Sequence, residues 1–169
     1  LDTAKHTSLN LYISSLDSNG KWGRLVNFPY NSDNYSTGHA TVTEDGNTMY
    51  FSSDMPGTYG ESDLFKSTIN EDGTYGTPKN LGSHINSDSR ETFPFVSGED
   101  VLYFSSDGYS GYGEKDIYMS RRLDNSWTRW SEPVNLGPDL NSDDWDMSYT
   151  VDETGDHAYF VSYKGSYGR

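Results

Sequence analysis

The sequence VLYFSSD, at Val101–Asp107, reveals how this chain is organised, because its last five residues also occur as YFSSD at Tyr50–Asp54. The two copies of YFSSD lie 53 residues apart. Asp63-Leu64-Phe65 and Asp116-Ile117-Tyr118 repeat at the same distance, and Asn10-Leu11-Tyr12 falls in register one step earlier. Two different motifs that share one period indicate an internal structural repeat.

Three further landmarks keep the same order along the chain. Asp45–Phe51 (DGNTMYF) returns in altered form as Thr154–Phe160 (TGDHAYF). Two series begin with an asparagine, namely Asn27, Asn80 and Asn135 before Phe or Leu, and Asn31, Asn86 and Asn141 before Ser-Asp. Landmarks in constant order over most of the 169 residues indicate that the whole chain is built from one repeated unit.

Each repeat is typical of four short strands. In the middle repeat the predicted strands are Thr92–Ser97, Val101–Ser106, Asp116–Ser120 and Trp127–Leu136. They are rich in aromatic and β-branched residues, and Gly, Asn and Asp separate them in a turn at 98–100 and a loop at 107–115. Four antiparallel strands at a period near 50 residues predict an all-β chain of β-propeller blades, in which blade packs on blade to bury both faces.

The phase of the repeat predicts about three blade equivalents. These are half a blade at 10–28, complete blades at about 37–81 and 92–136, and half a blade at 147–164. Closed propellers have roughly four to eight blades. We therefore expect residues 1–169 to form a partial β-propeller, completed by blades from a longer chain or by a second copy, rather than a three-bladed ring.

Composition excludes several other classes of protein. Aromatic residues reach 15%, with 14 Tyr and 17 Gly, which disfavours a helical protein. The net charge of −14 makes nucleic acids and anionic membrane surfaces poor partners. The chain has no cysteine, so it forms no disulfide and uses no thiol chemistry. No apolar run approaches membrane-spanning length, and the first ten residues, LDTAKHTSLN, lack the pattern of a signal peptide.

Two runs carry a family resemblance. Pro94–Asp107, followed by a Gly-rich loop and Asp116-Ile117-Tyr118, resembles the WD-repeat-like β-propeller repeats of the TolB-like family, and so does Thr43–Asp54. Trp130–Gly137 is similar to a longer, PorE-like variant found in envelope proteins of the Bacteroidetes, where such propellers accompany TPR and OmpA-family domains. The likeness extends from about residue 10 to residue 164.

The resemblance implies a noncatalytic scaffold that binds protein partners in the periplasm. It implies association with the outer membrane, and partners that belong to a secretion system or to peptidoglycan-associated proteins. The chain departs from the family pattern at Val161-Ser162-Tyr163, where YFSSD would continue, and at Ala40-Thr41, where a proline is missing. The first departure predicts an atypical last blade.

The candidate partner surface lies where the repeats disagree. The triplets before each first strand read Tyr35-Ser36-Thr37, Ser89-Arg90-Glu91 and Asp144-Trp145-Asp146. Loops on a rigid scaffold carry binding residues more often than the scaffold does. This predicts a partner-binding surface made of Arg90, Glu91, Asp144, Trp145 and Asp146. The alternative is ordinary sequence drift in a loop.

Acidic residues are abundant, but most are expected to be structural. Asp54, Asp63, Asp107 and Asp116 recur in register, and residues present in every repeat are expected to cap turns by accepting backbone N–H bonds. The acidic stretch Asp143–Asp146 leaves calcium as a secondary possibility, although it lacks the DxDxDG spacing of a calcium loop. No cofactor and no other metal are predicted.

No catalytic residue is predicted. Gly108–Tyr112 misses the GxSxG pattern, and the four histidines show no zinc spacing and are expected in turns or on the surface: His6, His39, His84 and His157. The alternative functions are a glycan-binding module or a glycoside hydrolase. A glycan site would need coplanar exposed aromatics such as Tyr109, Tyr112 and Trp145, and a hydrolase would need convergent carboxylates with a raised pKa.

Overall fold

A computed structural model describes residues 8–98, 100–126 and 128–165. Within these ranges the chain is all-β and forms twelve strands in four antiparallel sheets. Glu99 of the predicted turn, Trp127 at the start of the predicted fourth strand, and His6 lie outside the described residues. The strands are β1 (Tyr12–Ile13), β2 (Val26–Asn27), β3 (Thr37–Val42), β4 (Thr48–Ser53), β5 (Asp63–Thr68), β6 (Lys79–Asn80), β7 (Glu91–Ser97), β8 (Val101–Ser106), β9 (Asp116–Arg121), β10 (Val134–Asn135), β11 (Asp146–Val151) and β12 (Ala158–Ser162).

Two of the sheets contain four strands in sequence order, β3-β4-β5-β6 and β7-β8-β9-β10. The two remaining sheets are the pairs β1-β2 and β11-β12. The predicted four-strand pattern of each repeat is therefore confirmed, with one correction. The fourth strand, predicted as Trp127–Leu136, is only the two residues of β10, because one isolated bridge between Arg122 and Trp130 replaces continuous pairing before it. In the described part of the chain, no helical segment has the length and apolarity to cross a membrane.

The core explains why YFSSD has two adjacent aromatic residues. Tyr50 is fully buried on the side of the second four-stranded sheet, where its ring meets Trp130 edge-on at 6.0 Å. Its neighbour Phe51 is fully buried on the opposite face, where it meets Phe28 beside β2 at 5.4 Å. The two rings of one motif thus belong to two different core clusters. The two rings therefore point to opposite faces of the sheet, and each is covered by a neighbouring sheet.

The Asn-Ser-Asp series has a structural role in each repeat. Asn86 accepts a hydrogen bond from the backbone N–H of Leu64 at 2.8 Å and donates one to its carbonyl at 3.0 Å. Asn141 makes the same pair of bonds with Ile117, at 2.9 Å each. The amide thus takes the place of a neighbouring peptide beside the third strand, and it fixes the following loop to the sheet. Asn31 and Leu11 repeat the arrangement in the first half-sheet.

Every first strand contains a bulge at the same position. The register of β3, β7 and β11 with its neighbour shifts by one residue near the middle of the strand. The bulged residues have positive φ angles although none is glycine: His39 at 52°, Phe93 at 52° and Ser148 at 60°. Such a conformation is uncommon for a non-glycine residue, and its recurrence makes it part of the repeated design.

Candidate functional site

The predicted partner-binding residues all lie at one end of the sheets. In an up-and-down sheet, the loop between the second and third strands and the loop before the next first strand emerge at the same end. Arg90 and Glu91 stand at the start of β7, and Trp145 and Asp146 stand at the start of β11. The two clusters therefore belong to one surface, on neighbouring repeats.

Backbone bridges hold these loops to the preceding sheet. Arg90 forms a parallel bridge with Ser62, and Trp145 forms the equivalent bridge with Lys115. The next residue completes each link, since Glu91 N–H donates to Ser62 O and Asp146 N–H donates to Lys115 O, both at 2.8 Å. The same bond recurs at the third equivalent position, from Thr37 N–H to Leu9 O at 2.9 Å. The loops are thus a fixed part of the framework.

Two of the five predicted residues offer side chains to solvent. The Arg90 side chain is 47% exposed, and its Nε and one terminal nitrogen both lie 2.6 Å from Glu61 Oε2. Trp145 is 39% exposed, and its ring meets Tyr163 edge-on at 6.5 Å. Ring and guanidinium groups of this kind are the side chains most enriched at binding hot spots. The prediction of a partner surface stays a prediction for Arg90 and Trp145.

The other three predicted residues are buried, so their side chains cannot form that surface. Glu91 is fully buried, and its carboxylate accepts bonds from Ser87 N–H at 2.8 Å and from the hydroxyls of Ser87 and Ser106 at 2.6 Å. Burial raises the pKa of Glu91, and these hydrogen bonds oppose the rise. Asp146 is fully buried and accepts bonds from the N–H and hydroxyl of Ser142.

Asp144 is buried as well, and its carboxylate accepts the N–H of Trp145 at 2.8 Å. These three carboxylates position the loops. These positions differ between the repeats, and in the sequence such differences suggested a binding surface. The structure shows that they are buried positions, since Thr37, which occupies the place of Glu91 in the first repeat, is equally buried. A buried position can change its hydrogen-bonding group when its local partners change with it.

Lys115 joins the two loops and was missed by sequence reasoning. It is buried, and its Nζ lies 3.5 Å from Asp107 Oδ2 and 3.4 Å from both Arg90 O and Thr92 Oγ1. Burial lowers the pKa of Lys115, while the carboxylate of Asp107 opposes this effect. Its backbone meanwhile binds the start of β11. The signal in the sequence is that Leu9, Ser62 and Lys115 occupy one repeat position and differ completely.

The three bulges form the floor of a groove between the first strands. The rings of His39 and Phe93 stack with centroids 3.9 Å apart, and His39 Nδ1 lies 2.8 Å from Ser52 Oγ. A cavity of about 240 Å³ lies here, lined also by Pro94 and Tyr149. Burial, and then the charge of Lys115, lower the pKa of His39. The prediction that each histidine is a turn or surface residue is wrong for His39, which lies half-buried in β3.

The aspartates that recur in register accept backbone N–H bonds, as predicted. Asp107 accepts a bond from Arg90 N–H at 2.8 Å. One repeat earlier, Asp54 accepts the equivalent bond from Ser36 N–H. Asp63 accepts from Tyr59 N–H at 2.8 Å, and Asp116 accepts from Tyr112 N–H at 2.6 Å. Across residues 8–98, 100–126 and 128–165, no group of three or more His, Asp or Glu side chains is arranged to hold a metal ion.

The aromatic residues named for a glycan site do not share one exposed surface. Tyr109 packs against the core, and its hydroxyl donates to Ile85 O at 2.8 Å. Burial raises the pKa of Tyr109 well above its usual range. Tyr112 and Trp145 are both exposed, but the predicted glycan site also needs the ring of Tyr109, which is not available on the surface.

Comparison with known proteins adds no relative. A scan against protein-family models finds no match, and a search of curated proteins finds none. The likeness to TolB-like repeats therefore stays an expectation.

Proposed function

We propose that this chain is part of a β-propeller that acts as a noncatalytic protein-binding scaffold. Its blades are the four-stranded sheets, and its first strands β3, β7 and β11 stand nearest the axis. Three features support the arrangement: the strand order within each sheet, the contacts between neighbouring first strands, and the bond that links each first strand to the preceding sheet.

The binding surface is the end of the sheets that carries Arg90 and Trp145. The observation that carries this proposal is that both side chains are exposed while their backbones are bridged to a neighbouring sheet. An exposed aromatic ring and an exposed guanidinium on a fixed framework lose little conformational freedom when a partner binds. The shallow groove over the bulged residues lies between the first strands and extends this surface toward the axis.

The location and partners come from the family resemblance. We propose that the scaffold works at the bacterial cell envelope, on the periplasmic side of the outer membrane. Its partners there are envelope proteins of a secretion system or proteins associated with peptidoglycan. The net charge of −14 favours partners with a basic face, whose attraction weakens as salt rises.

A glycoside hydrolase is less well supported. Glu91 has a raised pKa, as a general acid requires, but it is fully buried under three hydrogen bonds from Ser87 and Ser106. A substrate would have to displace these bonds to reach the carboxyl group.

The test is capture of envelope proteins by the immobilised chain. We expect Arg90→Ala and Trp145→Ala together to reduce capture of a specific partner by about tenfold or more, because each removes a side chain of hot-spot type. The matched controls are Arg129→Ala and Trp22→Ala, which remove exposed side chains of the same kinds from the opposite end of the sheets. Equal capture by the wild-type chain and by the Arg90/Trp145 variant would reject the proposed surface.

A further inference from the structure

Two of the four sheets contain only two strands, so each has at its edge a strand whose equivalent is internal in the complete sheets. Among the described residues, β12 pairs only with β11, and β1 pairs only with β2. The two free edges do not contact each other. In the complete sheets the equivalents of these strands are the second and third strands, which pair over their whole length.

The repeat defines which residues would meet if β12 and β1 were paired. In the complete sheet, Phe104 of β8 stands opposite Tyr118 of β9, and Tyr103 stands opposite Met119. Register with β7 and β11 makes Tyr159 the equivalent of Tyr103. The equivalents of these two pairs are Phe160 opposite Tyr12 and Tyr159 opposite Ile13.

The backbone groups of both strands point outward as this register requires. His157 O accepts a bond from Asp152 N–H, and Tyr163 N–H donates to Trp145 O, so the odd-numbered residues of β12 face β11. Because alternate residues of a strand bond to opposite sides, Phe160 presents its N–H and carbonyl to the free edge. By the same alternation Tyr12 faces the free edge of β1, since the carbonyl of its neighbour Leu11 bonds toward β2.

The side chains at these edges are apolar and uncovered. Tyr159 is 65% exposed and Phe160 is 38% exposed, whereas Tyr50 and Phe51, at the same positions in a complete sheet, are fully buried. Tyr12 is 57% exposed. Neither strand contains a charged residue or a proline, the usual protections of an exposed edge. An apolar edge without these protections favours pairing with another strand.

We propose that β12 of one copy pairs with β1 of a second copy, and that two copies close on each other through both edges. Each new sheet then has the order β11-β12-β1-β2 and completes a blade from two half-sheets. A second copy is the occupant because it carries both missing halves, and two-fold symmetry uses both edges and leaves neither free. With two complete sheets from each copy, the assembly has six blades, within the range of roughly four to eight that closed propellers adopt.

The negative charge of each copy opposes the association, and the association should therefore depend on salt concentration. Each copy carries a net charge of −14, so two copies repel each other at low ionic strength. Salt screens this repulsion but does not weaken backbone pairing or apolar burial. The dimer should therefore form at lower protein concentration as salt is added.

The first experiment measures mass and register. Sedimentation equilibrium over a concentration series should give the mass of two chains at the upper end. Because the chain has no native cysteine, Ile13→Cys and Tyr159→Cys can be made as separate variants and mixed under mild oxidation. The proposed pair is a non-hydrogen-bonded one, with Cα atoms about 4.5 Å apart, which a disulfide can span. The mixture should cross-link, and neither variant alone should.

The second experiment removes the docking edge. Ala158→Pro takes away an N–H that points to the free edge of β12, and an edge strand tolerates proline there. We expect the dimer dissociation constant to rise by about tenfold or more, with the monomer still folded. The matched control is Ala40→Pro, because Pro94 already occupies the equivalent position of the next repeat.

A chain that stays monomeric at every concentration and salt level overturns the proposal, and so does a mass greater than two chains. A dimer that does not cross-link between Ile13→Cys and Tyr159→Cys, or that Ala158→Pro leaves intact, also overturns it. The inference rests on the blade arrangement of the proposed function but not on its partner surface. Loss of partner capture in the Arg90/Trp145 variant with an unchanged dimer, or the converse, therefore separates the two.

Discussion

Replacing Asn86 by alanine should weaken the fold more than any ordinary polar substitution. The side chain is 2% exposed and makes two hydrogen bonds to Leu64, at 2.8 and 3.0 Å. Leu64 is itself fully buried, and its carbonyl also accepts a bond from Leu81 N–H at 3.1 Å, so alanine leaves only the N–H of Leu64 without a partner in the core. An unsatisfied buried backbone group costs about 1–3 kcal/mol. We expect the free energy of unfolding to fall by about 1–3 kcal/mol.

The assay is urea-induced unfolding followed by far-ultraviolet circular dichroism, in conditions where the chain is monomeric. The matched control is Asn70→Ala, because Asn70 is an exposed turn residue whose amide bonds only to Thr74. That control should change the free energy of unfolding by less than about 0.5 kcal/mol. If Asn86→Ala falls within the same margin, the hydrogen bonds from the asparagine to the third strand do not stabilise the repeat.

Two further predictions concern the buried loops. Burial raises the pKa of Glu91 above its ordinary value of 4.5, so the stability it contributes is complete below about pH 4.5 and is lost as pH rises through the folded-state pKa. The free energy of unfolding of the wild type minus that of Glu91→Gln should therefore decrease with pH in urea titrations, and a constant difference would contradict this. Gly113→Ala should cost about 1–3 kcal/mol in the same assay, because its Cβ would overlap the backbone of the loop at Asp144. Gly98→Ala is the control, since its Cβ meets only the movable end of Glu44, and equal losses in the two variants would contradict the close approach.

The strand pattern was predictable because each strand carries its own signal. β8 is Val101–Ser106 in both the prediction and the structure, since its aromatic and β-branched run is bounded by turn residues. The short β10 was not predictable, because Trp130 and its neighbours read as a strand while only Val134–Asn135 pairs in a ladder. Pairing over two residues depends on the loop that precedes it, and no local pattern encodes that.

The candidate site was only partly predictable. The rule that function lies where the repeats differ found Arg90 and Trp145, which are exposed, but it also selected Glu91, which is buried. Sequence variation alone does not separate these cases, because burial at a repeat position depends on contacts across the gap between sheets. Lys115 was missed for the same reason, since Arg90 O and Thr92 Oγ1, which lie beside its Nζ, come from the start of β7 and not from its own loop.

In the arrangement that we propose, the repeated sheets are blades around one axis, with β3, β7 and β11 innermost. A crystallographic or electron cryomicroscopy structure of the chain in its associated state measures this most directly. We expect the three first strands to line a common central channel, with each fourth strand at the outer rim. Sheets stacked face to face without a common axis, or fourth strands turned toward the centre, would contradict it.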